Sequence, residues 1–517
     1  MKGIDEIRVK EGCFLRLKRF FFVKLKDKNF LKGISSVIGA CLLNFIAGGI
    51  FAVCQLFVYE ISYIKAKNNN NITNDDEIFY YPIIKFLQHV FTILSGILYK
   101  KIGLHFTNLI GFITLFIGYL ILYLSSSLTA DIFSVIFAGI GTGIIYYPST
   151  ANACEWYVNH NGIIIGIIET MISLGSFSFN LLGEKIAETK KHEYKSENEY
   201  KIIYDDNPSE IYYRLEVAEK FKEFMIYLLI FVVVFYLLSF ALIFRKKEEE
   251  FKDAKNIQVG LLQLENNENY DENEKEYEEK PLEISDHNIE PEKKPRDFKK
   301  IFIGALKSKI FIMFAIVAVL EAPLSSMIFS LYRTIGLKKK INEMFLSTIG
   351  PINFVFECIG GFVFGLFCDY IPKKVLLLFI MGSDVIIGYF YCLTFNSSVL
   401  FFIFTNFCSF ISGGFYSVKD FFLIKIFGVY IYVELIGFIN LLSSIIVIAV
   451  LTPLSYHLNK TFSSESSPWI MFIIFGTCDL VGFIISLFIK DENFDYDKAM
   501  EDDKEKEENN RALNGQM

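Results

Sequence analysis

Charge is scarce in this 517-residue chain: Lys, Arg, Asp and Glu together make up 21%, against 53% hydrophobic and 16% aromatic residues. Mean hydropathy is +0.39. A soluble protein this apolar would have more core than its polar surface could cover, so the excess is expected to face lipid and a single compact soluble enzyme is excluded. Paired cysteines are lacking as well. Of nine cysteines, Cys41, Cys54, Cys358, Cys368, Cys392, Cys408 and Cys478 fall in or beside apolar runs, where Cys behaves as a small hydrophobe; only Cys13 and Cys154 lie outside, without CxxC spacing. Neither a disulfide framework nor a metal site is expected. No Walker loop, HExxH, GxSxG or kinase set occurs, so no enzymatic activity, ATP-driven step or cofactor is expected. The basic N-terminus has no short apolar core with a cleavage site, and reads as a retained arm, residues 1–33.

What is present is a series of long apolar runs. A bilayer core of about 30 Å needs about 20 apolar residues per helix. Twelve stretches qualify: 34–58, 81–99, 104–125, 130–150, 162–183, 223–244, 308–331, 345–368, 373–394, 398–418, 433–455 and 468–489. The expected fold is therefore an all-α integral membrane protein with twelve transmembrane helices in two six-helix halves, 34–244 and 308–489. The halves are separated by 245–307 and followed by an acidic tail, 490–517. The net charge of −7 is concentrated in these appendages, since 245–300 holds 12 Lys/Arg against 17 Asp/Glu and 491–517 holds 4 against 10. It gives no reason to expect a cationic partner, and no nucleic acid is expected. The linker and residues 65–80 are too polar to bury a core and read as disordered.

Lys and Arg in short loops set orientation. Ten of them in residues 1–33, then Lys100, Lys101, Lys373, Lys374, Lys419 and Lys425, fall on one side, although Arg333 and Lys338 to Lys340 oppose the pattern. Both termini are expected in the cytosol, in the plasma membrane or an organelle or vesicle membrane. The sequons at Asn71, Asn396 and Asn459 all fall on the other side.

A repeat joins the halves. Gly96-Ile-Leu-Tyr-Lys100-Lys101-Ile-Gly103 follows the second span, and Gly365-Leu-Phe-Cys-Asp369-Tyr-Ile-Pro-Lys373-Lys374 follows the eighth, 269 residues later. A similar offset sets Tyr147 opposite Tyr416. These loops resemble the loop signature of the major facilitator superfamily, and Gly139-Ile-Gly141-Thr-Gly143 with Tyr146, Tyr147, Pro148 and Trp156 resembles its oxalate/formate antiporter and monocarboxylate transporter branch. The resemblance implies alternating access of two six-helix bundles around a central site, with the loop acid and cations latching the inner gate. The first copy departs from the pattern, with Lys100 in place of the acid.

Charges inside spans are expensive and usually functional. Glu321, two residues before Pro323, lies in a span that the resemblance places on the central path. It is expected to be a cavity group able to carry a proton, with a structural partner on another helix as the alternative. Glu357 is weighed alike. Asp384 and Asp479 are expected to be structural. Lys85, Gln88 and His89 share one helical face, although Lys85 could simply snorkel to the interface. Asn44, Gln55, Tyr146, Tyr147 and Tyr416 could hydrogen-bond solute or only pack helices. No Lys or Arg lies in 342–369 or 433–455, leaving Lys85 and His89 as the deep positive groups. The expected function is transport of a small organic solute, an organic anion of the monocarboxylate type with pantothenate included, by uniport or proton symport. A neutral or zwitterionic solute such as an amino acid is the alternative. A transporter-like membrane scaffold is a third reading, which deletion of 248–295 would separate from the others.

Overall fold

The structure, a computed structural model, describes residues 28–68, 72, 80–194, 197–204, 207–246, 298–338, 341, 343–451, 453 and 466–490. The chain divides into two units, 1–244 with 305–495, and 245–304 with 496–517. The sequons at Asn71 and Asn459, Cys13, most of the linker and the tail lie outside the described residues.

Among the described residues twelve helices are long and apolar enough to cross a membrane. In the first half they are α1 (Lys28–Asn68), α2 (Tyr80–Ile102), α3 (Leu104–Leu124), α4 (Leu128–Trp156), α5 (Asn161–Lys191) and α6 (Lys220–Leu242). The second half contributes α7 (Lys309–Lys338), α8 (Glu343–Cys368), α9 (Lys373–Phe390), α10 (Ser398–Phe427), α11 (Val429–Ile446) and α12 (Ser466–Phe488). Among the described residues the fold is all-α, apart from one hairpin. Exposed large apolar side chains concentrate on α3 (Phe106, Ile113, Leu124), α6 (Ile230, Val234, Leu237), α9 (Val375, Phe379, Ile386) and α12 (Ile473, Ile484, Phe488). Such faces are unstable against water and suit a lipid surround, in which every backbone group is satisfied within its own helix.

Small residues allow the helices to approach. A Cβ on Gly143 of α4 would strike the Gln88 backbone of α2, and one on Gly413 of α10 would strike the Glu357 backbone of α8. Adding six to each helix number turns the first contact into the second, so the halves repeat in packing as well as in sequence. Lipid tails are as apolar as Leu, so such contacts and interhelical hydrogen bonds, worth about 0.6 to 2 kcal/mol each, hold the bundles together.

Several boundaries differ from the sequence expectation. Residues 298–307, placed in the linker, form the helix Phe298–Lys307, because Phe298, Ile301, Phe302 and Ala305 fall on one helical face. α1 continues to Asn68, through residues expected to be disordered. Its last turns pack on an unforeseen antiparallel hairpin of β1 (Lys201–Tyr204) and β2 (Asn207–Tyr213), with Ile202 opposite Tyr212. Lys65 Nζ and Tyr212 Oη both donate to the Ile72 carbonyl at 3.2 Å, Tyr213 N donates to Ser62 Oγ at 3.0 Å, and Lys222 Nζ meets Glu60 Oε1 at 2.6 Å. Cys154, placed outside the apolar runs, is buried in α4, which runs six residues past the expected end. At the other end of α1, Tyr157 Oη donates to the Phe30 carbonyl at 3.3 Å. Partial burial pushes that hydroxyl up to about 12, so it stays a donor at neutral pH. The Phe244 carbonyl, just beyond α6, accepts from Ser36 Oγ, Asn152 Nδ2 and Trp156 Nε1 at 3.0 to 3.2 Å, closing the first bundle.

Candidate functional site

Between the halves lies a cavity of about 160 Å³. Its walls come from α1, α2, α4 and α5 on one side and α7, α8, α10 and α11 on the other; the four helices with lipid-suited faces stay outside it. Lys85, Gln88 and His89, spaced i, i+3 and i+4 and read as one helical face, all lie on the wall, together with Tyr146, Tyr147, Glu321, Glu357 and Tyr416. Asn44 and Gln55 are not on it. The Asn44 amide donates to Ala40 O and Ser149 Oγ, and Gln55 Oε1 accepts from Asn180 Nδ2 at 2.8 Å, so both tie α1 to its neighbours.

The wall holds two cations from opposite halves. Lys85 Nζ of α2 sits over the Phe51 ring at 4.3 Å, on the same wall as Glu357 and Ser173. Lys419 Nζ of α10 donates to Asn440 Oδ1 at 2.8 Å and lies 4.9 Å from the Tyr416 ring centre. Lys419 corrects the expectation that it lies in a cytosolic loop and that Lys85 and His89 are the deep positive groups. It is 5% exposed inside α10, which runs on to Phe427 before Gly428, at φ 71°, ends it. Phe421-Phe-Leu-Ile-Lys-Ile-Phe427 carries the mainly apolar run past the Lys-Asp step at 419–420, so these two charges lie inside the span and do not end it.

A polar chain then crosses the interface. Asn440 Nδ2 of α11 donates to Tyr147 Oη of α4 at 2.8 Å, Tyr146 Oη donates to Glu169 of α5, and Tyr432 Oη donates to Asp420 Oδ2 at 2.7 Å. His89 Nδ1 lies 2.6 Å from Ser444 Oγ. Glu169, Asp420 and Asn440 escaped the sequence reading although Glu169 stands openly in the fifth span. Glu321, 4% exposed, lies on the same wall as Lys419 and Ser325. Asp384 of α9 and Asp479 of α12 are buried behind it, away from the cavity wall. α11 ends in a π-helical turn, Val447–Leu451, whose Val447 and Ile448 also reach the cavity; such turns are frequent at functional sites. Among the described residues no cluster of three or more His, Cys, Asp and Glu is placed to hold a metal.

Two seams close the interface at the end carrying the repeated loops. In one, α5 packs on α8: Gly166 and Gly365 meet backbone to backbone, while Asp369 Oδ1 and Oδ2 accept from Gly162 N and Ile163 N at 3.0 and 2.9 Å. A carboxylate here satisfies amides left open at a helix start and complements the helix dipole. In the other, α2 packs on α11, and Lys100 Nζ meets Glu434 Oε1 at 2.6 Å beside Gly96. Adding six to α2 gives α8, and to α5 gives α11, so the seams are two images of one contact. Gly103, at φ 83°, breaks α2 from α3. Lys101 is exposed, Lys373 opens α9, and Lys374 Nζ donates to Leu487 O at the end of α12 at 2.7 Å.

Helix order, interface and repeat together decide the architecture. The fold is that of the major facilitator superfamily. Compared by structure, the chain is similar to the major facilitator superfamily transporter FucP in the outward conformation, with a TM-score of 0.58 and 13% identity over 89% of this chain and 99% of that one. It is similar to the E. coli fucose:proton symporter FucP, with a TM-score of 0.59, 13% identity and the same coverage. It is also similar to the proton:xylose symporter XylE bound to 6-bromo-6-deoxy-D-glucose, with a TM-score of 0.60 and 13% identity over 89% of this chain and 97% of that one. Compared by sequence, the chain matches no family model and no curated protein.

Proposed function

We propose that this protein is a transmembrane transporter, secondary-active or facilitative, that moves a small organic solute by alternating access of its two helical halves. The cargo is an organic anion of the monocarboxylate type, pantothenate included. The observation that carries this reading is the pair of lysines, Lys85 from one half and Lys419 from the other, on the wall of a single cavity. A carboxylate held between them would draw the halves together, because each cation is fixed to a different moving body and their charges act at short range in a site of low dielectric. The serines Ser325, Ser409 and Ser443 on the wall suit hydroxyl or amide groups elsewhere on the solute. The proton symport named for FucP and XylE supports a proton-driven cycle.

A zwitterionic solute is the second reading, favoured by Glu321 and Glu357 on the same wall, which would receive an ammonium group. Uptake of labelled pantothenate, lactate, an amino acid and a neutral analogue into proteoliposomes, with and without a pH gradient, separates the two. Lys419→Ala and Lys85→Ala should each lower carboxylate uptake at least tenfold, the loss of about 1.4 kcal/mol or more, and lower neutral-analogue uptake far less. Equal loss for charged and neutral analogues overturns the anion reading. The orientation that places both termini in the cytosol is part of the proposal, and protease added to sealed, right-side-out cells should leave residues after Lys490 intact.

A further inference from the structure

The helix Phe298–Lys307 stops at Ser308, and α7 begins at the next residue. Ser308 serves both: its Oγ donates to the Ala305 carbonyl at 2.8 Å and accepts from Phe311 N at 3.2 Å, so it ends one helix and caps the other. The part of α7 apolar enough to cross a membrane is Lys309–Phe329. The short helix therefore begins where the hydrocarbon ends. Its 10 residues extend to about 15 Å at 1.5 Å per residue, and the headgroup layer on one side of a bilayer is roughly 5 to 7 Å deep. No part of this helix stands far from lipid headgroups.

Charge changes sign at the same place. Residues 245–292 hold seven Lys/Arg against sixteen Asp/Glu, whereas 293–309 hold seven against one, Asp297. The helix also sorts its residues by face: Phe298, Ile301, Phe302 and Ala305 share one side, and Lys300 and Lys307 fall on the other. Ile301 and Ala305 are buried and the Phe298 and Phe302 rings stack at 5.8 Å, while Lys299, Lys307 and Lys309 are exposed. The helix belongs to the end of the molecule with the repeated loops, because α8 runs back from the far end of α7 and finishes at Cys368 beside Asp369. Lys101, Lys373 and Lys374 lie at that end, and the short loops 126–129 and 395–397 at the other end have no Lys or Arg.

We propose that the helix Phe298–Lys307 is a binding surface for the headgroups of anionic phospholipids in the adjoining leaflet, gripped by Lys299, Lys300, Lys307 and Lys309. The proposal stands on the membrane-spanning fold and does not depend on the cargo. Opposite charge selects the partner: clustered lysines beside a span are drawn to an anionic bilayer surface within a Debye length, about 10 Å at 0.1 M salt, and a neutral bilayer offers no such attraction. The cap at Ser308 joins this hold to α7, the helix that brings Ala318, Glu321 and Ser325 to the cavity wall. Lipid charge thereby acts on the start of the second half.

The test uses the purified full chain in nanodiscs of phosphatidylcholine, with and without phosphatidylserine, and reads amide hydrogen exchange across residues 298–307. Exchange there should slow by roughly fivefold or more when phosphatidylserine is present, while the buried amides of α4 stay unchanged. The difference should vanish at about 1 M salt, where the Debye length falls to about 3 Å. It should also vanish when Lys299→Gln, Lys300→Gln, Lys307→Gln and Lys309→Gln are combined, with α4 exchange verifying that this variant is folded. If the variant fails to fold, the salt series on the wild type decides. Equal exchange of the wild type in the two nanodiscs overturns the proposal, as does slowing that survives salt or survives in the folded variant. Glycerophosphoserine added to phosphatidylcholine nanodiscs should slow nothing; slowing equal to that of the lipid would make a soluble anion the ligand and overturn the lipid assignment.

Discussion

The two seams have one geometry and opposite chemistry. At α5–α8 an acid, Asp369, takes two backbone amides at a helix start; at α2–α11 the corresponding position is a base, Lys100, and its partner is a side chain, Glu434, near the start of the other helix. The repeat thus keeps the place of the contact while inverting its sign. The loop of the first half lacks the acid, and its ion pair reaches across to Glu434 instead. The difference teaches that the symmetry constrains where the halves touch and leaves free how the charge is shared between loop and helix.

The strongest way to break this comparison is steric. A side chain at Gly365 would strike the Gly166 backbone, which cannot yield, whereas one at Gly96 meets only the end of the Glu434 side chain, which can turn aside. Gly365→Leu should abolish uptake by preventing the α5–α8 seam from closing, while Gly96→Ala should retain a measurable rate in the same proteoliposome assay. Similar losses from both would mean that the seams do not differ in this way.

Charge reversal comes next. Lys100→Glu places a second carboxylate against Glu434, which is 1% exposed. Breaking a buried pair costs about 3 to 5 kcal/mol, and the partial exposure of Lys100 lowers that to roughly 1 to 3 kcal/mol through solvent screening. Uptake and thermal stability should fall, and adding Glu434→Lys should restore most of both; failure of the double variant to recover would deny the pair its latch role. Asp369→Asn should cost about 1 kcal/mol, within the range for lost helix caps and dipole partners. Cysteine-accessibility labelling at the closed end should rise by about fivefold, and the same change in Lys100→Ala would show that the two latches share the load. The smallest effect is that of salt. Screening between about 0.1 and 1 M shortens the Debye length from about 10 to 3 Å, so the part-exposed Lys100–Glu434 pair should weaken slightly and the amide-bound Asp369 should not, a difference that labelling at the two seams would show.

The helical architecture was legible because twelve apolar runs of bilayer length leave few alternatives, and the repeated Gly96 and Gly365 loops gave the halves. The latch partners were not legible. Glu434 lies 334 residues from Lys100, and nothing local marks it as a partner. Of the cavity wall, Lys85, Gln88, His89, Tyr146, Tyr147, Glu321, Glu357 and Tyr416 were legible as polar or charged side chains inside spans, since a polar group in hydrocarbon needs a reason. Lys419 and Asp420 were lost to a boundary drawn at the first charges, although the apolar run continues to Gly428. Asn44 and Gln55 show the converse: polar residues inside a span that bind neighbouring helices and never reach the cavity.

The length of α1 has a further consequence. At 1.5 Å per residue its 41 residues extend to roughly 60 Å, about twice the thickness of a hydrocarbon core. Its far end is fixed to the β1–β2 hairpin and to Lys222, both parts of the first half, so it moves as a rigid pointer of that half. A rocking of about 10° displaces a tip roughly 30 Å from the midplane by about 5 Å. If the halves rock as proposed, a fluorophore pair placed on the hairpin and on the second half would read that motion away from the bilayer core, and a binder gripping the hairpin would act on the cavity as a hand acts on a lever.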